Sequence, residues 1–129
     1  MLLDSQNLFS ENQEITTGTI YSQNIIDFGK NDVSFVPVII QAVSDFSALT
    51  SLTVKVQTST SSAFDEAIDL IEAKLELEKL KAGAKFPINY LPKGNLGFMR
   101  LVYVVEGSET TGKITAGAVA GDGLSAHEI

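Results

Sequence analysis

The sequence has no cysteine, no tryptophan, a single histidine and a single arginine. Each shortage removes a class of chemistry. Without cysteine there can be no disulfide and no thiolate metal site, and cysteine usage carries no signal about the redox compartment. The lone histidine, His127, stands third from the end of the sequence. A Ser-His-Asp constellation or a histidine zinc site would have to use it, and a loose terminal segment cannot hold an imidazole at hydrogen-bond distance. Gly94 and Gly97 match neither a Walker nor a dinucleotide fingerprint. Gly121-Asp122-Gly123 is too short for an EF-hand loop and lacks the later glutamate. No apolar run approaches the ~20 residues needed to cross a bilayer, and Met1-Leu2-Leu3-Asp4-Ser5-Gln6 lacks the basic region of a signal peptide. No membrane association is expected. Basic residues are scarce, nine against sixteen acidic, for a net charge of −7. Such a surface repels phosphate backbones. The closest basic grouping, Lys74, Lys79, Lys81 and Lys85, has no interleaved aromatics, so nucleic acid is not an expected partner.

The acids are plentiful enough for a paired-carboxylate glycosidase, but most lie in polar runs where each stays ionised and solvated. A carboxyl group with a raised pKa needs an apolar pocket. Only Asp27, between Ile26 and Phe28, has an apolar strand context, and it reads as facing solvent or capping a turn. The acids between Asp65 and Glu72 read as a solvated face. No catalytic, cofactor-binding or metal-ligating residue is expected, and the chain does not read as an enzyme. A carbohydrate-binding module is the alternative; its stacking platform would have to come from Tyr21, Tyr90 and Tyr103.

What the chain does have is alternation. With 44% hydrophobic and 19% charged residues in 129 positions, it is too apolar to be disordered and long enough for one domain with a real core. Met99, Leu101, Tyr103 and Val105 share one strand face, and Arg100, Val102 and Val104 the other. Ile114, Ala116, Ala118 and Ala120 share a face after a polar turn bracketed by Gly107 and Gly112, so residues 96–120 are expected to form a hairpin. Leu52, Val54 and Val56 alternate with Thr53, Lys55 and Gln57, the pattern of an antiparallel strand with one wet face. Further strands are expected in 16–21, 24–28, 33–43 and 85–90. At 63–81 the rules conflict. Phe64, Ile68, Ile71 and Leu75 recur at helical spacing, yet a strand at 66–72 with a short helical turn after it also fits. About eight short strands separated by turn signals favour a jelly roll or antiparallel β-sandwich.

Residues 1–14 are expected as an N-terminal arm, 15–120 as the domain and 121–129 as a flexible tail. Leu2, Leu3, Leu8 and Phe9 are greasy for a free arm; they either pack on their own domain or dock on a neighbouring subunit. The run 33–43 holds Phe35 and Pro37. Pro37 cannot donate to a ladder, which places it at an edge, a start or a bulge, and an apolar edge calls for a cover. Arg100 is either an ordinary surface arginine or one half of an interface ion pair. Leu2, Leu3, Leu8, Phe9, Phe35, Pro37 and Arg100 are therefore the candidate interface residues.

Several segments together resemble the jelly-roll capsid cement, or decoration, proteins of tailed bacteriophages. They are Met-Leu-Leu-Asp-Ser-Gln-Asn-Leu-Phe-Ser at the start; Ser22-Gln23-Asn24-Ile25-Ile26-Asp27-Phe28-Gly29; Leu52 through Ser59 followed by Ala63-Phe64; Leu91-Pro92-Lys93-Gly94; Arg100 through Gly107; and Gly112 through Gly117. Their order and spacing carry the resemblance over nearly the whole length. It implies a jelly roll that assembles with copies of itself; symmetry favours a closed dimer or trimer, and the sequence does not choose between them. It would sit on the outside of the virion and bridge major capsid proteins so as to hold the expanded head together. It also implies a strand near 66–72 with a short helix after it. Residues 72–85 are richer in lysine and glutamate than the resemblance leads one to expect. No site residues carry over, because such a protein works through its surface.

Overall fold

The computed structural model describes residues 3–34 and 36–119. Among these residues eight strands form: β1 (Leu3–Glu14), β2 (Thr19–Tyr21), β3 (Ile26–Asp27), β4 (Val38–Ala42), β5 (Leu49–Ser59), β6 (Ile68–Glu76), β7 (Phe98–Gly107) and β8 (Lys113–Val119). They make two antiparallel sheets. The small sheet has the order β1-β8-β4; the large one runs β2-β7-β5-β6, with β3 also paired to β7. The expected all-β sandwich is the fold observed. The short helix expected after 66–72 is one 3-10 turn, Leu77–Lys79, and the strand before it extends to Glu76.

The expected hairpin does not form. β7 belongs to the large sheet and β8 to the small one, and they do not pair. The polar turn carries the chain across the sandwich instead of reversing it within one sheet. Two other connections cross beside it, from β1 to β2 and from β4 to β5. The amide of Ile15 donates to the Gly112 carbonyl at 2.9 Å, that of Thr110 to Thr16 at 2.8 Å, and that of Val43 to Lys113 at 2.9 Å. The Ser47 amide donates to Thr110 Oγ1 at 3.0 Å. β7 and β8 are thus consecutive central strands of opposite sheets: β8 lies between β1 and β4, and β7 between β2 and β5. The backbone groups of the three crossings bond to one another, although most of their residues are exposed.

The two glycines of this corner act differently. Gly107 has φ of 91°, where an L side chain is strained. A Cβ at Gly107 would also meet Thr50; at Gly112 space is the whole constraint, because a Cβ there would lie against the Phe46 ring.

The core fills from alternation. Met99, Leu101, Tyr103 and Val105 on β7 and Leu52, Val54 and Val56 on β5 are all buried, and meet Phe9, Val38, Ile40, Ala42, Ile114, Ala116 and Ala118 from the small sheet. The segment expected as an arm is, over its described part, the outer strand of the small sheet. Ser10 faces Ala116 and Gln13 faces Ile114 in the β1–β8 register. Its polar residues also have inward roles. Ser10 Oγ donates to Gln13 Oε1 at 2.5 Å and lies 2.7 Å from the Tyr103 hydroxyl. Since the serine proton is already given to Gln13, Tyr103 is the donor in the second bond. Gln13 Oε1 also accepts the Gln23 amide at 3.0 Å, and its Nε2 donates to the Tyr21 carbonyl at 2.8 Å. This polar network ties β1 to β7 across the sandwich. It also covers the free edge of β1, with help from the Asn24 amide, which donates to Phe9 O at 3.0 Å.

Pro37 and Tyr90 form an isolated bridge, as do Gln41 and Lys85, so residues 85–90 line β4 without becoming a full strand. Phe86 and Ile88 are buried as their alternation predicts, but Tyr90, expected on the same face, is 59% exposed. Pro87 has no amide to offer, and the Ile88 amide turns back to Phe86 O at 2.8 Å. The alternation holds through Ile88 and breaks after it, where Leu91 is buried in place of Tyr90. The tail 121–129 lies outside the described residues.

Candidate interaction surface

Among the described residues no group of three His, Cys, Asp or Glu side chains could hold a metal ion, and no helix is long and apolar enough to cross a membrane. Asp27 Oδ1 accepts the Gly29 amide at 2.8 Å, which makes it a turn cap, one of the two readings its context allowed. Tyr21 and Tyr90 are exposed on different sheets and Tyr103 is buried, so the three tyrosines do not form one stacking platform.

The most built-up feature of the surface is on the outer face of the large sheet. Alternation on β7 turns Arg100 and Val102 away from the core. The Arg100 guanidinium lies between two rings, 4.0 Å from the centre of Tyr21 and 4.2 Å from that of Phe64. Arg100 Nε donates to Gln57 Oε1 at 2.9 Å, its cross-strand partner on β5. Gln57 Nε2 in turn donates to Asp69 Oδ1 at 2.6 Å, and Lys55 lies 3.6 Å from the other Asp69 oxygen. Phe64 and Val102 are buried, yet neither belongs to the core between the sheets. Both lie on the outer side of the large sheet, Phe64 against the arginine and Val102 on β7 opposite Tyr21 and Lys55.

The loop that supplies Phe64 is wound for this purpose by serines. The Ser61 amide donates to Ser59 Oγ at 3.2 Å, the Ala63 amide to Ser61 Oγ at 3.1 Å, and the Phe64 amide to Ser61 O at 3.0 Å. Phe64 itself has φ of 54°, a conformation that costs a non-glycine residue on the order of 1–3 kcal/mol. Burial of the ring and cation–π attraction, about 0.5–1 kcal/mol at an exposed site and more when desolvated, offset that cost.

Because Arg100 is the only arginine in the sequence, its Nε–H gives one NMR signal. Stacking between two rings is expected to place that signal upfield of its unfolded-chain position. Phe64→Leu should move it back downfield. A signal at the free-arginine position in the wild type would mean that the stack does not exist in solution.

The other expected interface residues scatter. Phe9 is fully buried, so it is a core residue and offers nothing to a partner: it lies on the inward face of β1. Leu8 is half-buried on the same strand, opposite Gly117. Leu3 opens β1 opposite Val119. Pro37 is half-buried at its bridge to Tyr90, at the start of β4, one of the places its missing amide allows. Leu2 and Phe35 lie outside the described residues. Periodicity missed the exposed edge of the large sheet. There, among the described residues, β6 pairs only with β5, and Ile68 and Ile71 are 50% and 40% exposed among Asp69, Glu72, Lys74 and Glu76. The charges blunt the edge against indiscriminate pairing, while the isoleucines leave apolar area on it.

None of the curated proteins matches the chain. A family model described as Bbp16 matches residues 9–120, a span from β1 to the end of β8, and the chain therefore belongs to the Bbp16 family.

Proposed function

We propose that the protein is a capsid cement, or decoration, protein of a tailed bacteriophage: a structural component that binds the outer surface of the mature head and bridges major capsid proteins. The observation that carries this reading is the character of the surface. The outer face holds a stacked, fixed arginine, and the rim holds half-exposed isoleucines on a charge-blunted edge. These are features for adhesion, and they accord with the resemblance of the chain's segments to jelly-roll cement proteins. Self-assembly as a closed dimer or trimer suits the same role, since closed symmetry matches a lattice of repeated sites.

The physics is linkage. A protein that binds the assembled lattice and not its separated subunits stabilises the lattice by mass action, and several weak contacts per assembly add through effective concentration. Adding purified protein to mature heads that lack it is expected to raise their melting temperature in a saturable way. Heads that neither bind the protein on co-sedimentation nor melt higher would overturn the proposal.

A further inference from the structure

We infer that the Arg100 clamp is a receptor for a carboxylate of the partner protein. The inference rests on the capsid reading above and names the chemistry of one contact within it. An arginine normally offers a fork of five N–H donors on a mobile stem. Here the stem is fixed. Tyr21 and Phe64 hold the guanidinium from the two rings, and Gln57 takes the Nε proton. Among the described residues no acid and no hydrogen-bond acceptor reaches the Nη donors, although the chain carries sixteen acidic residues. The nearest acid in this network, Asp69, is engaged by Gln57 and Lys55. The result is an uncompensated positive charge with unused donors on a protein of net charge −7.

The cost of ordering the side chain has already been met in the free protein, including a left-handed φ at Phe64. Pre-organisation of this kind lowers the entropy loss on binding. A planar fork with its Nε occupied and its Nη donors open fits the two oxygens of an Asp or Glu side chain. Tyr21, 51% exposed, is a ring wall that such a partner would complete by excluding water, the arrangement of an interface hot spot.

The test is co-sedimentation with heads lacking the protein, comparing wild type with Arg100→Lys, Phe64→Leu and the full-length double variant Asp122→Asn/Glu128→Gln. Arg100→Lys keeps the charge and loses the fork, and is expected to weaken binding about tenfold or more. Phe64→Leu keeps the guanidinium and removes one wall, and should weaken binding by a smaller factor. Thermal melting of each isolated variant checks that it is folded. The double variant removes the acids of the sequence's own last residues and should bind as wild type. Wild-type binding with unchanged binding by Arg100→Lys overturns this inference and leaves the capsid reading standing. Loss of binding by the double variant to the level of Arg100→Lys also overturns it, by assigning the carboxylate to the chain's own tail. Failure of the wild type to bind heads at all overturns the capsid reading, and this inference with it.

Discussion

Replacing Gly112 by alanine is expected to destabilise the protein by about 3 kcal/mol, at the upper end of the range for overpacked sites, and to lower its melting temperature by roughly 10 °C. A Cβ at position 112 meets the ring of Phe46, a residue that is itself only 4% exposed and whose amide donates a hydrogen bond to Leu80 O at 2.9 Å. Neither partner has room to yield. The Gly112 carbonyl also receives the Ile15 amide, so a shift of the backbone would loosen the crossing from β1 to β2 as well. Thermal denaturation measures the loss. The double variant Gly112→Ala with Phe46→Leu isolates its cause: shrinking the ring should recover part of the loss, with a coupling energy above about 1 kcal/mol. A Gly112→Ala protein that melts like wild type would mean that the corner is not packed as described.

The second large effect lies in alkali. Burial pushes the Tyr103 hydroxyl well above its ordinary value of 10. In the unfolded chain the same group ionises near pH 10. Above that pH the unfolded state has released a proton that the folded state still holds, so stability falls as pH rises. The contribution is fully present below pH 10 and is lost at a rate approaching 1.4 kcal/mol per pH unit above it. Over two units this is a large share of the stability of a typical domain. Tyr103→Phe should remove this limb from a plot of unfolding free energy against pH. At neutral pH the same substitution should cost about 1–2 kcal/mol, because Ser10 loses its buried donor. An alkaline limb of equal slope in wild type and Tyr103→Phe would show that Tyr103 is not the group responsible.

Both effects arise from contacts that are far apart in sequence, and this separates what could be read from the residues from what could not. The faces of β5 and β7 were legible, because a period of two is a local property and every residue it placed inward on these strands is buried. Which sheet a strand joins was not legible. The polar turn between β7 and β8 has the same glycines and hydroxyls that a hairpin would have, and only the pairing of β7 in the large sheet and β8 in the small one shows that it spans the sandwich. The first fourteen residues read as an arm because they begin apolar and turn polar, and Ser10 and Gln13 are among the polar ones. Both face inward, where Tyr103, ninety-three positions from Ser10, supplies the buried partner that makes them tolerable.

The Arg100 clamp was half legible. Its outward position followed from alternation on β7, and its suitability for an ion pair from its chemistry. The walls did not follow. Phe64 looked like part of an amphipathic helix with Ile68, Ile71 and Leu75. In the fold the chain turns at Phe64 with positive φ, and β6 begins only at Ile68. The strand won over the helix because β5 offers a long ladder in which Leu52 meets Leu75 and Val54 meets Ala73, a tertiary gain that outweighs helix propensities of a few tenths of a kcal/mol per residue.

The most direct measurement is a cryo-EM reconstruction of the phage particle that carries this protein. The reading proposed here predicts density for the two-sheet sandwich on the outside of the head, each copy touching more than one major capsid subunit, with Arg100 turned toward the contact. Density for the sandwich inside the shell or in the tail, or outer copies that each touch a single capsid subunit, would contradict it.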